Sequence, residues 1–458
     1  MNQSIRELKT IQIVGCLQLV ILFIMASILY LERGSFMDVA FQTFEMIRTQ
    51  NLAPQVYRFG SAFTQIFPLT AILLKAPLWM VAYMYSVGVI LYQFLLFAYI
   101  IFVRKNTNLG FAYLLYLCLM STHSFFWIQS EFSQSIPFGF AVLAFMDGFK
   151  DRSPKAWQYL ILSGLIITAV FFHPLQAPLL VLMIVLWSMM FGFNRLAWIS
   201  LFIILLGWLI KQYGFSNWYD NMAEERLDAL KMVHIKSMFT PGFMAFCKEG
   251  WYYIPTVLLF GLCLFFLIRK NELVYSFLLV LGVGLYFGFI HITHPDAHVF
   301  YLENLLLAIP AVLSLVWSEI VHHISAHRRN AIRLTSILVF MVIFVFRIQG
   351  VSKQYEQRIA FYQDQFKQYG QQKIMLPESA LPKSVLKFAW PTAYEAWMIS
   401  TIQYQKTASL VYVTDTAYYR QNLLGNKQFR GIRNYPYDSL KTPYFIWSDT
   451  LTSYKNWP

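Results

Sequence analysis

The chain has 458 residues, of which 58% are apolar, 18% aromatic and only 13% charged, with a mean hydropathy of +0.50. Soluble domains carry about 25% charged residues, so a cytosolic protein with one water-facing core is excluded, as are disordered, fibrous and disulfide-scaffold classes. The net charge of +13 lies singly or in pairs at the ends of apolar runs, where it orients helices, and forms no basic stripe for nucleic acid.

Apolar runs of roughly 16–24 residues recur along the chain, the length that crosses about 30 Å of hydrocarbon. Arg6 and Lys9 precede the first, Ile11 to Leu31, which is too long for a signal-peptide core and reads as an uncleaved span. The expected spans are 11–31, 80–103, 109–126, 133–149, 157–172, 175–191, 197–213, 251–268, 273–291, 299–321 and 332–348. With the N-terminus inside, the inner connections hold Arg104, Lys105, Lys150, Arg152, Lys155, Arg195, Arg269, Lys270, Arg328, Arg329 and Arg333. The short outer turns at Gln129–Ser130, His173–Pro174 and His291–His298 hold neither lysine nor arginine. This positive-inside bias predicts an all-α polytopic membrane protein of eleven transmembrane helices, N-in and C-out.

Phe59 to Leu74 is apolar enough to be a twelfth span, but that would put every later basic pair outside. Interrupted by Pro68 and bounded by Arg58 and Lys75, it reads as an interfacial or re-entrant helix on the outer face. The expected transmembrane domain is 1–348, with outer loops at 32–79 and 214–250, the latter carrying Asp220, Glu224, Glu225, Arg226 and Asp228. A soluble C-terminal module on the trans side covers 349–458. Tyr355, Ile359, Tyr362, Phe366 and Tyr369 give it a helical face. Leu410 to Val413 and Tyr444 to Trp447 read as strands, making a small α/β unit. Cys16, Cys118 and Cys263 lie in apolar runs, Cys247 lies in a loop, and no CxxC occurs, so cysteine redox or metal chemistry is not expected.

Charge is costly in a membrane, so ionisable groups gathered on the outer side are the informative ones. In GSFMDVAFQTFEMIRTQ, Asp38, Gln42 and Glu45 stand at i, i+4 and i+7 on one helical face, with Arg48 and then Arg58 beyond. A carboxylate beside basic groups suits deprotonation of a hydroxyl while a lipid phosphate is held nearby. The same pattern also describes a solvated amphipathic helix at the interface. In HITHPDAH, His291, His294, Asp296 and His298 fall within eight residues at an outer helix end. Such groups can bind a divalent metal, touch phosphate or act as acid and base, or form a hydrogen-bonded connection. The spacing is not HExxH, so no metal site is assigned. His123, Glu131, His173, Glu303 and Asn304 are weaker signals of the same kind.

The order of these features resembles the GT-C superfamily of integral-membrane glycosyltransferases. It comprises an N-in first span, an outer loop with an early acid (Asp38), a proline-containing interfacial stretch (Phe59 to Leu74), short hairpin spans, a late polar helix end (Tyr301 to Pro310) and a trans-side tail. The resemblance implies transfer of a sugar from a polyprenyl-phosphate donor to a lipid or glycan acceptor at the outer face of a bacterial inner membrane. It makes Asp38 the catalytic base. Glu45, Arg48, Arg58, His291, His294, Asp296 and His298 become candidates for contacting substrate or phosphate. The sequence departs from the family in having Val39 after Asp38 where a second acid is common. It also offers histidines where a late arginine or lysine often meets the phosphate. No cofactor is expected, a divalent ion at the histidines being the open exception, and the partners are the two substrates and membrane lipid. The alternatives are an O-antigen-type polymerase, a lipid-linked saccharide flippase or transporter, and a non-enzymatic scaffold.

Overall fold

The structure is a computed structural model and describes residues 3–120, 122–149, 154–217, 244, 248, 253–294, 297–370, 372–414, 428–440, 443–447 and 454–456. The chain is mostly helical and membrane-embedded. Among the described residues, five helices are long and apolar enough to cross a bilayer: Ile5–Ile28, Leu78–Val103, Arg195–Gly214, Leu273–Thr293 and Ala326–Tyr369. Val299–Leu305 and Ala308–His322, bent by 41°, make a sixth if they form one span. Phe59–Leu73, Thr107–Leu119, Ala156–Val170, Gln176–Met189 and Ile254–Arg269 are shorter apolar helices, about 20–24 Å long at 1.5 Å per residue. All eleven expected segments fall on helices, but only some have the length of a full crossing. Side chains such as Leu160, Phe202, Phe277 and Leu285 stay exposed, an apolar surface that water would not tolerate and lipid would.

Clusters of polar contacts stand at two ends of this bundle. At one end, Arg333 donates to Glu7 at 2.9 Å and also to Asn108, tying α1 (Gln3–Ile28) to the last long helix. There too Asn106 donates to Asp147 at 2.7 Å, and Arg104 donates to the Ala144 and Phe145 carbonyls at 3.0 Å. These are groups from the connections expected inside. At the other end lie α2 (Tyr30–Gly34), α3 (Asp38–Thr49), α4 (Ala62–Leu73) and the C-terminal strands.

Helix α4 runs antiparallel to α5 (Leu78–Ala98): Phe63 meets the Tyr92 ring at 6.3 Å, and Phe67 lies over Gly88. A β-carbon at Gly88 would come within 2.6 Å of Phe67, so glycine permits the close approach. The chain therefore enters α4 beside the middle of α5 and runs back toward the start of α5. With the turn of helix before it, the segment runs Phe59–Leu73, about 22 Å, within the range of the other short apolar helices.

The longest helix, Ala326–Tyr369, has 44 residues, about 66 Å, and projects well beyond any bilayer core into the C-terminal module. There Tyr355, Ile359, Tyr362 and Phe366 are buried, as their spacing predicts. β1 (Lys373–Pro377) pairs in parallel with β2 (Ser409–Val413) and β5 (Lys455–Asn456), the helix Thr392–Tyr404 joining β1 to β2. β3 (Gln428–Arg430) and β4 (Asn434–Pro436) form an antiparallel pair. The strand expected over Tyr444 to Trp447 is only a bridge between Trp447 and Thr407. The Thr407 hydroxyl, rather than a backbone carbonyl, accepts the Ile446 N–H at 2.8 Å. Val39, Phe44 and Ile47 of α3 share one core with Tyr394, Trp397, Phe429 and Phe445 of this module.

Candidate active site

Asp38 is the first residue of α3, where an acid suits the positive end of the helix dipole. Met37 just before it has φ 41° and ψ −113°, a conformation that costs a non-glycine residue of order 1–3 kcal/mol. Asp38, Gln42 and Glu45 do share a face, but it spans about 10 Å and meets three different surfaces. Gln42 accepts from Gln65 at 2.6 Å and from the Tyr85 hydroxyl at 3.0 Å. Glu45 accepts from Arg48 at 2.7 Å and from the Tyr435 hydroxyl, and Arg48 lies 5.0 Å over the Tyr435 ring. Glu45 and Arg48 therefore dock the C-terminal module.

Asp38 accepts from the Trp127 indole at 2.9 Å and retains partial exposure. Nearby, Arg58 and Glu131 form a buried pair at 3.1 Å. Burial pushes the Asp38 carboxyl up to about 7, and the Glu131 charge adds to this; the Trp127 bond and Arg58 oppose it. Burial acts first because a carboxylate loses hydration there that one indole donor does not replace.

His294 joins this neighbourhood through aromatic contacts. Its ring lies 5.6 Å from Tyr301, which lies 5.8 Å from Trp127. Its Nδ1 is 2.9 Å from the Thr293 hydroxyl. His173, whose Nδ1 accepts the Leu175 N–H at 3.2 Å, is held well below the ordinary histidine range by burial, then by the charges of Arg58, Lys211 and His294. These neighbours mark a cationic corner. The His298 ring lies tilted 5.0 Å from Phe300; burial, then Lys387 and His123, lower it to about 4. His291 is buried against Phe287 at 4.4 Å, and Asp296 lies outside the described residues. Among the described residues no three His, Cys, Asp or Glu groups converge as a metal set.

Sequence reasoning passed over Trp127, Lys211 and Lys387. Trp127 reads as a membrane-belt aromatic. Lys211, in LLGWLIKQYG, carried the usual signal of a cation inside an apolar helix. It is buried and donates to the Val170 carbonyl at 3.2 Å. Lys387 comes from the tail and has no local mark. No protein-family model matches the chain, and neither does any curated protein or solved structure.

Proposed function

We propose that the protein is a GT-C-like glycosyltransferase that moves a sugar from a polyprenyl-phosphate donor to a lipid or glycan acceptor. The observation that supports this best is the carboxyl of the part-buried Asp38, raised to about 7 by burial, within the field of a buried arginine, Arg58, at the bundle end that carries the tail. A base whose pKa lies near the working pH combines a useful ionised fraction with a strong pull on the proton. In the reaction, Asp38 accepts the proton of the acceptor hydroxyl as its oxygen bonds the anomeric carbon. The bond from that carbon to the phosphate oxygen breaks, and the polyprenyl phosphate leaves with the electron pair. Arg58, with Lys211 close to the same corner, stabilises the charge developing on the phosphate. His173 and His298, both lowered by burial, offer neutral rings for substrate hydroxyls. The reaction as written needs no cofactor.

The same reading takes the short helices as membrane passes whose outer ends are recessed, making eleven in a bacterial inner membrane. Residues 32–61 then fill the recess from outside. A reporter fused after Lys105 is expected to read cytoplasmic, and one after Gly350 periplasmic. A periplasmic signal at Lys105 would make α4 a true crossing and overturn this orientation. For the chemistry, purified protein in lipid vesicles with polyprenyl-phosphate sugars and a lipid-linked acceptor is expected to form glycosylated product, and Asp38→Asn protein is not. Equal product from both would remove the base and direct attention to transport or scaffolding.

A further inference from the structure

The turn before Asp38 is held by groups from the far end of the chain. Glu395, buried on the helix Thr392–Tyr404, accepts the Met37 N–H at 2.7 Å. The same carboxylate accepts the Tyr362 hydroxyl at 2.9 Å and pairs with Arg358 at 2.9 Å. Arg358 in turn donates to the Ser35 carbonyl at 3.2 Å, the Ser35 hydroxyl at 3.0 Å and the Glu32 carbonyl at 3.1 Å. Residues 32–37 are thus gripped by one carboxylate and one guanidinium, both almost fully buried.

The grip falls on a residue whose conformation an L side chain rarely adopts. At φ 41° and ψ −113°, Met37 sits near the first central position of a type II′ turn, which glycine normally fills. Left alone, that turn would relax, and α3 would start from a different direction. Strained backbone persists where its surroundings over-determine it, and the three bonds at Glu395 do this.

We propose that Glu395 is a positioning residue: through Met37 it fixes the start of α3, so that the C-terminal module sets where the Asp38 carboxylate points. The functional part of this claim rests on Asp38 being the base; the mechanical part does not. It also assigns the module a task in cis, that of completing the site rather than acting as a separate appendage.

The test uses the full chain in lipid nanodiscs, with amide hydrogen exchange read by mass spectrometry beside the transfer assay. In Glu395→Gln, Met37 keeps an acceptor, but the Tyr362 and Arg358 donors meet an amide group. Peptides covering 34–44 are expected to exchange about tenfold faster, a typical effect of losing one charge-assisted bond, while 5–28 stays unchanged. The kcat is expected to fall about tenfold with KM within about twofold, because the base and not the substrate contacts is displaced. Adding Met37→Gly, which relieves the turn, is expected to recover at least about a third of the lost kcat in the Glu395→Gln background. Tyr362→Phe keeps the ring packing and serves where Glu395→Gln does not accumulate; it is expected to quicken exchange over 34–44 by about threefold. Unchanged exchange over 34–44 in a folded Glu395→Gln protein, or a double variant no better than the single one, would overturn the proposal. If Asp38→Asn retains transfer, the base assignment falls, and exchange over 34–44 still decides whether Glu395 holds the turn.

Discussion

Asp38 and Glu45 stand two turns apart on the same face of α3, and their surroundings differ in kind. Glu45 receives bonds from Arg48 and from the Tyr435 hydroxyl of the C-terminal module. Asp38 has one side-chain donor, Trp127, lies near a second acid, Glu131, and is raised to about 7. A carboxylate whose acceptor sites are filled by protein donors contributes to docking. One that is desolvated and only partly compensated is prepared to take a proton. Residue type and helical spacing are shared by the two; the elements that cover each end of the helix make the difference.

The largest expected effect is at Asp38. Asp38→Asn retains size and the acceptor for Trp127 but removes the base, so transfer is expected to fall by about 10²–10⁴. The folded carboxyl is raised above its unfolded value, so ionising it within the fold costs stability. That penalty is absent below about pH 4, grows as pH rises, and is complete above about 7. Asp38→Asn is therefore expected to melt at a higher temperature than the parent at pH 8 and alike at pH 4. Normal transfer by a well-folded variant would erase the distinction between the two acids.

Arg58 sharpens the same contrast. Arg58→Gln leaves Glu131 buried without its cation, a change expected to cost about 3–5 kcal/mol. Adding Glu131→Gln is expected to restore most of the melting temperature while transfer stays at least about tenfold down, since no guanidinium meets the departing phosphate. Recovery of both together would make the pair purely structural.

At Glu45 the smallest effect on chemistry is expected. Glu45→Gln weakens the seat for Tyr435 and frees Arg48, which is partly exposed and contributes little as an ion pair. A loss of about 1–3 kcal/mol and earlier proteolysis of the tail are expected, with transfer reduced less than about tenfold. A loss equal to that of Asp38→Asn would place Glu45 in the reaction.

How much of this was legible in the sequence follows the range of each interaction. The apolar runs, the helical face from Tyr355 to Phe366 and the strand at Leu410 to Val413 are local patterns, and all appear in the fold. Asp38 was legible as an early acid of the first outer loop. The task of Glu45 was not, because its partner Tyr435 is 390 residues away. The Glu395 contact with Met37 spans 358 residues and leaves no periodic trace. β1 was missed because KIMLP holds a single β-branched residue, against two valines and a tyrosine in SLVYV, and it pairs as a strand beside β2. Hydropathy marked the short helices as apolar, but their length, and so how far they reach, depends on caps such as Asn106, whose side chain accepts the Leu109 N–H at 2.9 Å.

The central claim is that Asp38 is the group whose ionisation limits transfer, and the pH dependence of the rate tests it most directly. With purified protein in vesicles and saturating donor, the rate is expected to rise about tenfold per pH unit up to about 7 and then level. Glu45→Gln is expected to show the same acid limb, because the limb belongs to the other acid. A limb near the ordinary carboxylate range of about 4, or one that moves with Glu45→Gln, would contradict the account.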